Sequence, residues 1–386
     1  MSLPDHLSFW HSNGLQEKDK KICMRAVRER YCAYDVEEFG EQGHCSFTIV
    51  IAPLGLPTDS IDGDDFVEAS APDLREGGSF IVQIRPVQYA LDLAIAQSAK
   101  MTYPALAPYI QGLEMALPNQ LCAYKMERLH GVPFSRIQPR CRTLDPTQGR
   151  KQQRLVASFA EFIAHGWRVA SNAQSLDRNI RADSPMEDKS AMLLKCTGKV
   201  GSSIISRLEK LAIELPDQRL RDQAQHIPDQ VQNVVEYPVT LNHGDLIPSN
   251  ILIDEDWNIT GLVDWAEAEY LPFGMCLYGL EHLLGYLSPA SRSPKPHSDG
   301  TFTSSNAPEY VYFDNALQLR AIFWTRLLES VPELVSRRAE IEMFRDLGVL
   351  LWYGIAWDDG AINRVVNEID DAETVAYLRA FLAVVH

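Results

Sequence analysis

Residues 241–250 read LNHGDLIPSN, which places His243, Asp245 and Asn250 close together in the chain. The run ILI follows at once, then DEDWN, then ITGLVDW, which carries Asp264. Apolar run, polar turn, apolar run is the pattern of a hairpin. A hairpin returns the end of its second strand to the start of its first, so the pattern predicts Asp264 beside Asp245 and Asn250. Two carboxylates and an amide suit phosphoryl transfer. That reaction needs a carboxylate to orient an attacking hydroxyl and accept its proton, and oxygen ligands for the Mg²⁺ that neutralises nucleotide phosphates. Without a cation, two neighbouring carboxylates repel and shift each other's pKa. A polar turn capped by one aspartate accounts for Asp245 but not for its pairing with Asp264.

The elements that must position these groups fall into two regions. CSFTIVIA (45–52), SFIVQIR (79–85) and QLCAYKMERL (120–129) are rich in β-branched and aromatic residues and read as strands. ALDLAIAQSAKM between the last two has helical composition, so residues 1–128 read as a small strand-rich lobe with one helix. In RKQQRLVASFAEFIAHGWRVA, apolar residues at 155, 156, 159, 162, 163 and 167 share one helix face. Residues 174–236 are polar and mixed, with a helix near 202–214. Beyond 270 the chain reads helical almost to its end, and the Ser- and Pro-rich stretch 287–309 reads as a mobile loop. The fold class is α+β, a small strand-rich N-terminal lobe at 1–128 and a larger, mainly helical C-terminal lobe at 129–386.

HGDLIPSN followed by ILIDEDWNITGLVDWAEAE resembles the catalytic segment of the aminoglycoside phosphotransferase and choline kinase family. The resemblance spans about residues 30–360 and is most specific at 241–274. It implies a bilobal protein-kinase-like fold, with ATP and Mg²⁺ as cofactors. It implies Asp245 as catalytic base, Asn250 and Asp264 as magnesium ligands, and His243 as a brace for the loop. Glu267 and Glu269 follow the metal aspartate. Each either faces a cationic substrate or covers a solvated turn, Glu267 being the candidate substrate contact and Glu269 the solvated one. Trp265 reads as a core residue.

In the N-terminal region the resemblance places a phosphate-binding hairpin at FGEQGHCSFTIVI, with Gly40, Gly43 and Ser46 facing phosphates. Where the family carries a lysine on the third strand, this chain has Gln83, with Arg85 on the same face two residues on. No glutamate stands on the next helix, and Gln97 is the nearest analogue, so a Gln83–Gln97 hydrogen bond would replace the usual ion pair. AYKMERLHGVPF resembles the hinge, where backbone groups from Met126 to Arg128 would meet adenine. The pattern is most similar to the divergent members of the family common in filamentous fungi.

Three functions follow from these residues. The first is an ATP- and Mg²⁺-dependent kinase of a small-molecule hydroxyl. The second is an enzyme of specialised metabolism that reuses the cleft for other chemistry. The third is a pseudokinase-like binding protein that has lost the strand lysine. The acceptor would be a cation or a natural product. A net charge of −16 and a pI near 5.1 oppose nucleic acid and anionic membrane as partners. No apolar run approaches a membrane span, and the N-terminus has no secretory arrangement. Seven widely spaced cysteines without a CxxC suggest reduced thiols and a cytoplasmic protein.

Overall fold

The computed structural model describes residues 9–40, 42–54, 78–118, 120–180, 191–234, 236–289, 295–296, 302–303, 307–358 and 361–384. The chain divides into two compact units, Met1–Leu129 and His130–His386.

The first unit begins with the short helix α1 (Phe9–Ser12) and then α2 (Glu17–Arg30). Five strands follow: β1 (Tyr34–Glu38), β2 (Phe47–Pro53), β3 (Phe80–Pro86), β4 (Ile110–Leu113) and β5 (Leu121–Glu127). They form one antiparallel sheet in the order β1-β2-β3-β5-β4. In β2 and β3, Phe47, Ile49, Ile51, Phe80, Val82 and Ile84 point to one face and are buried, as period-2 alternation dictates. Cys23 and Val27 of α2 and Phe9 and Trp10 of α1 share that core. The helix α3 (Leu93–Thr102) lies between β3 and β4 in sequence. Asp92 caps it by accepting from the N–H groups of Ala94 and Ile95. Near its C-terminus, Lys100 pairs with Glu127 of β5 at 2.8 Å.

The expectation of one helix in this region is corrected by α2, whose many charged residues mask a buried stripe of Cys23, Met24 and Val27. The strands β1 and β4 are short, half-polar edges of the sheet. They carry too little alternation to stand out in the sequence.

The second unit opens with β6 (Val132–Pro133), α4 (Phe134–Ile137) and the long helix α5 (Pro146–Ile180). Asp145 caps α5, accepting from the N–H groups of Thr147 and Gln148. Leu155, Val156, Phe159, Phe162, Ile163 and Trp167 are all buried, as the helical spacing predicts. Next come α6 (Ala191–Leu194), α7 (Gly198–Gly201), α8 (Ile204–Glu214) and α9 (Gln218–Gln232). The strands β7 (Val239–Asn242), β8 (Ile251–Ile253), β9 (Ile259–Leu262) and β10 (Glu269–Pro272) frame the central loop. β8 pairs with β9 and β6, and β7 pairs with β10, all antiparallel.

After Pro272 come α10 (Tyr278–His282), β11 (Gly285–Ser288), β12 (Lys295–Pro296), β13 (Phe302–Thr303), β14 (Glu309–Tyr312), α11 (Ala316–Ser330), α12 (Arg338–Tyr353), β15 (Ile355–Asp358), β16 (Ala361–Val365) and α13 (Ala372–Leu382). α11 packs along α5, with the Phe159 and Phe323 rings 6.1 Å apart. The expectation of almost continuous helix beyond residue 270 is therefore corrected. LYGLEHLLGYL is helical only to His282, and its end is β11, paired with β14. The end of LLWYGIAW is β15, paired with β16. Much of the Ser- and Pro-rich stretch 287–309 lies outside the described residues. No helix among the described residues is long and apolar enough to cross a membrane.

Candidate active site

The hairpin expected from ILI–DEDWN–ITGLVDW is present. Ile251 stands opposite Leu262, and the N–H of Val263 donates to the carbonyl of Asn250 at 3.0 Å. The ladder thus runs to the residue before Asp264 and binds it to Asn250. Asp254 closes the turn by accepting from the N–H groups of Asp256 and Asn258. Asp264 has φ 61°, ψ 64°, in the left-handed region, and is solvent-exposed. An aspartate tolerates that region better than most residues.

The loop from β7 to β8 carries the other polar groups. Asn250 Nδ2 donates to both the backbone carbonyl of Asp245, at 3.0 Å, and its Oδ2, at 2.7 Å. Burial pushes the Asp245 carboxyl up to about 7, and the negative charge of Asp264 pushes the same way. The Asn250 hydrogen bond opposes both, because it favours the ionised form.

His243 is fully buried, its ring against Trp265 with centroids 4.4 Å apart. Its Nδ1 accepts from the N–H of Asp245 at 3.2 Å. The tautomer this implies has the proton on Nε2, which faces the Val263 backbone without closing a hydrogen bond of standard geometry. Burial takes its pKa down to about 3, so the ring is neutral at physiological pH. Trp265 is buried and donates from Nε1 to the Leu262 carbonyl.

Four further residues hold this loop and did not stand out in the sequence. Gly244 has φ 80°, and a Cβ there would lie 1.9 Å from the Glu267 carbonyl oxygen. The glycine between His243 and Asp245 was the available signal. Asn242 donates to the carbonyls of Thr240 and Leu271, and its Oδ1 accepts from the N–H of Cys276. The Tyr278 hydroxyl accepts from the N–H of Leu246 at 3.3 Å. Gly279 packs on Leu246, whose Cβ would lie 2.8 Å from an added Cβ.

Glu267 ends the short 3₁₀ turn Trp265–Glu267, is exposed, and lines a pocket with Gly244 and Tyr278. The reading of Glu269 as a solvated turn residue is corrected. Glu269 is buried and accepts from the N–H groups of Val200 and Gly201 at 2.9–3.1 Å. Burial still raises its pKa.

The first unit holds the remaining candidates. Next to Gly43, Gln42 donates to the carbonyls of Phe39 and Thr48 and accepts from the N–H of Thr48. A Cβ added at Gly40 would meet nothing within 4 Å, one added at Gly43 would lie 3.5 Å from the Ser46 hydroxyl, and neither glycine has a positive φ. Ser46 is buried. Gln83 stands opposite Thr48 in the ladder and donates to its hydroxyl at 3.3 Å. The expected Gln83–Gln97 bond is not formed, because the cross-strand threonine is nearer and Gln97 is exposed. Arg85 is buried, with Nη1 donating to the Tyr89 carbonyl. Met126 is half-buried on β5, opposite Ile81 and Ile110, and Arg128 follows that strand.

Among the described residues no group of three or more His, Cys, Asp or Glu forms a metal cluster. The set at the hairpin is different in kind: an amide and carboxylates, which suit a hard cation such as Mg²⁺. Two of its features fit one. The Asn250 amide spends its Nδ2 on Asp245, leaving Oδ1 without a hydrogen bond among the described residues. The mutual repulsion of Asp245 and Asp264 is of the kind a cation relieves.

Residues 76–275 match the model of the phosphotransferase enzyme family, and the chain belongs to that family. The chain is similar to solved structures at low identity. A thermostable mutant of aminoglycoside phosphotransferase APH(4)-Ia in complex with ADP and hygromycin B is 13% identical, over 93% of this chain and 97% of that one, with a TM-score of 0.48. An ethanolamine kinase from Plasmodium vivax is 9% identical, over 99% and 95%, with a TM-score of 0.46. Macrolide 2'-phosphotransferase MphH from Brachybacterium faecium is 13% identical, over 87% and 92%, with a TM-score of 0.44. No curated protein matches the chain.

Proposed function

We propose that the protein is an ATP- and Mg²⁺-dependent phosphotransferase acting on a hydroxyl of a small molecule. Asp245 is the catalytic base, and Asn250 and Asp264 hold the metal. The observation that carries this reading is the double hydrogen bond from Asn250 to Asp245, in a loop that the hairpin ties to the residue before Asp264. A carboxyl lifted to about 7 is a competent proton acceptor near neutral pH. In the reaction, the acceptor oxygen forms a bond to the γ-phosphorus while the bond from that phosphorus to the β–γ bridging oxygen breaks. The hydroxyl proton passes to the Asp245 carboxylate, and ADP leaves. Bound Mg²⁺ would neutralise charge on the phosphates. His243, neutral and buried, positions the Asp245 backbone and transfers no proton.

The first unit, Met1–Leu129, is the nucleotide-binding part of this proposal. Gly40, Gly43 and Ser46 face phosphates, Gln83 and Arg85 stand where the strand lysine is missing, and Met126 to Arg128 meet adenine. Arg85 would exchange the Tyr89 carbonyl for phosphate. Gln83 bound to Thr48 is the observation favouring a second reading, a pseudokinase-like binding protein without a cationic phosphate clamp. ADP release across a panel of hydroxyl compounds, with product mass, separates the two. Turnover that adds one phosphate and is lost in Asp245→Ala supports the phosphotransferase. Full activity in Asp245→Ala removes Asp245 from its role.

A further inference from the structure

Strand β5 holds the helix α3 at both of its ends. At the N-terminal end the N–H of Leu91, next to the cap Asp92, donates to the Tyr124 hydroxyl at 3.0 Å. At the C-terminal end Lys100 donates to a Glu127 carboxylate oxygen at 2.8 Å and to the carbonyls of Pro104 and Ala107 at 2.8 and 3.0 Å. An ammonium carries three donors, so this one is saturated. A lysine in the last turn of a helix commonly serves nearby carbonyls, which accounts for Pro104 and Ala107 but not for a carboxylate on β5. The same Glu127 oxygen accepts from the N–H of Tyr109 at 3.0 Å, and the Glu127 N–H donates to the Tyr109 carbonyl at 2.9 Å. Glu127 is thus tied at once to α3 and to the chain entering β4.

The tie expected from β3 is not made. Gln83 is bonded to Thr48 instead, and Gln97 of α3 is exposed. The pair on β5 is a charged one, and it is sheltered, with the Glu127 side chain 9% exposed and the Lys100 side chain 25%. Removing one partner of a sheltered pair leaves the other charge short of compensation. Glu127 stands between Met126 and Arg128, in the segment assigned to adenine. Its N–H is given to Tyr109, so it serves there as an anchor and not as a donor to a ligand. What fixes its backbone also fixes the groups on either side.

We propose that Lys100 and Glu127 are positioning residues for nucleotide: their pair couples α3 to residues 126–128 in place of the absent tie from β3. The inference rests on the reading of residues 126–128 as the adenine-binding segment. The test is hydrogen exchange of the nucleotide-free protein, followed by titration calorimetry with ATP and Mg²⁺, for wild type, Lys100→Met, Lys100→Arg and Glu127→Gln. The expected result in Lys100→Met, which keeps the stem and removes the charge, is exchange at residues 126–128 about tenfold faster, with β2 and β3 at wild-type rates. ATP binds this variant about tenfold more weakly, or about 1.4 kcal/mol. Lys100→Arg, which keeps the charge, restores both in large part. Should Lys100→Met not fold, Glu127→Gln, which keeps an acceptor oxygen and drops the charge, shows the same two effects in smaller degree. ATP binding as tight as wild type in Lys100→Met, or in Glu127→Gln where Lys100→Met does not fold, overturns the proposal. Exchange that rises equally in β2 and β3 also overturns it, since the pair would then support the sheet as a whole. Loosening confined to residues 126–128, in a protein that binds no ATP even as wild type, sustains the coupling and removes the nucleotide reading.

Discussion

Asn250 Nδ2 grips Asp245 twice, at its backbone carbonyl and at its carboxylate, and so fixes the side chain that is pushed up to about 7. Metal-free, this carboxyl holds its proton more tightly folded than unfolded, where its ordinary value is 3.8. Its stabilising contribution is therefore full below about pH 4 and is lost as pH rises through about 7. In chelator, the thermal midpoint of the wild type should fall across that window relative to Asp245→Asn. Asn250→Ala, lacking the bond that favours the ionised form, should fall more steeply. Parallel curves for wild type and Asp245→Asn would contradict the shift.

His243 is held neutral by burial, and its ordinary value of 6.5 is taken down to about 3. Nitrogen chemical shifts of its ring should stay constant from about pH 5 to 8, with the proton on Nε2 throughout. A titration in that range would restore it as a proton carrier.

Gly244→Ala puts a methyl group against the Glu267 carbonyl at a residue with φ 80°. Strain at such a position costs about 1–3 kcal/mol. The variant should unfold at lower denaturant and lose activity about a hundredfold. Gly40→Ala meets open space and should be near neutral in stability.

Glu281 of α10 is buried and pairs with Arg345 at 3.0 Å and Arg320 at 2.6 Å, with the Tyr312 hydroxyl donating to it. Burial works against its charge, but the two guanidinium groups outweigh burial and keep its pKa low. Glu281→Gln leaves both cations short of a partner and should cost about 3–5 kcal/mol in denaturant unfolding. A loss under about 1 kcal/mol would show that the group is solvated.

The hairpin of the candidate site was more legible than many of the elements around it. A hairpin imposes its own geometry, so the apolar–polar–apolar pattern at 251–264 was enough to bring Asp264 back toward Asn250. The positions of Gln83 and Arg85 on one face followed from strand alternation. What held the loop was not legible, because Asn242 and Tyr278 act through backbone groups of residues distant in sequence. Glu269 looked like a surface acid, since nothing local announces that α7 will present its N–H groups to it. In the tail, Gly285 and Ile355 begin strands inside stretches of helical composition. There, pairing with β14 and β16 overrode local propensity.

Electron paramagnetic resonance of Mn²⁺ as a Mg²⁺ stand-in, titrated with and without ATP, tests most directly whether the hairpin and loop form one cation site. Wild-type protein should take up Mn²⁺ in the presence of ATP, and Asp264→Ala and Asn250→Ala should each weaken that uptake at least tenfold, about 1.4 kcal/mol. Equal Mn²⁺ affinity in all three proteins would contradict it.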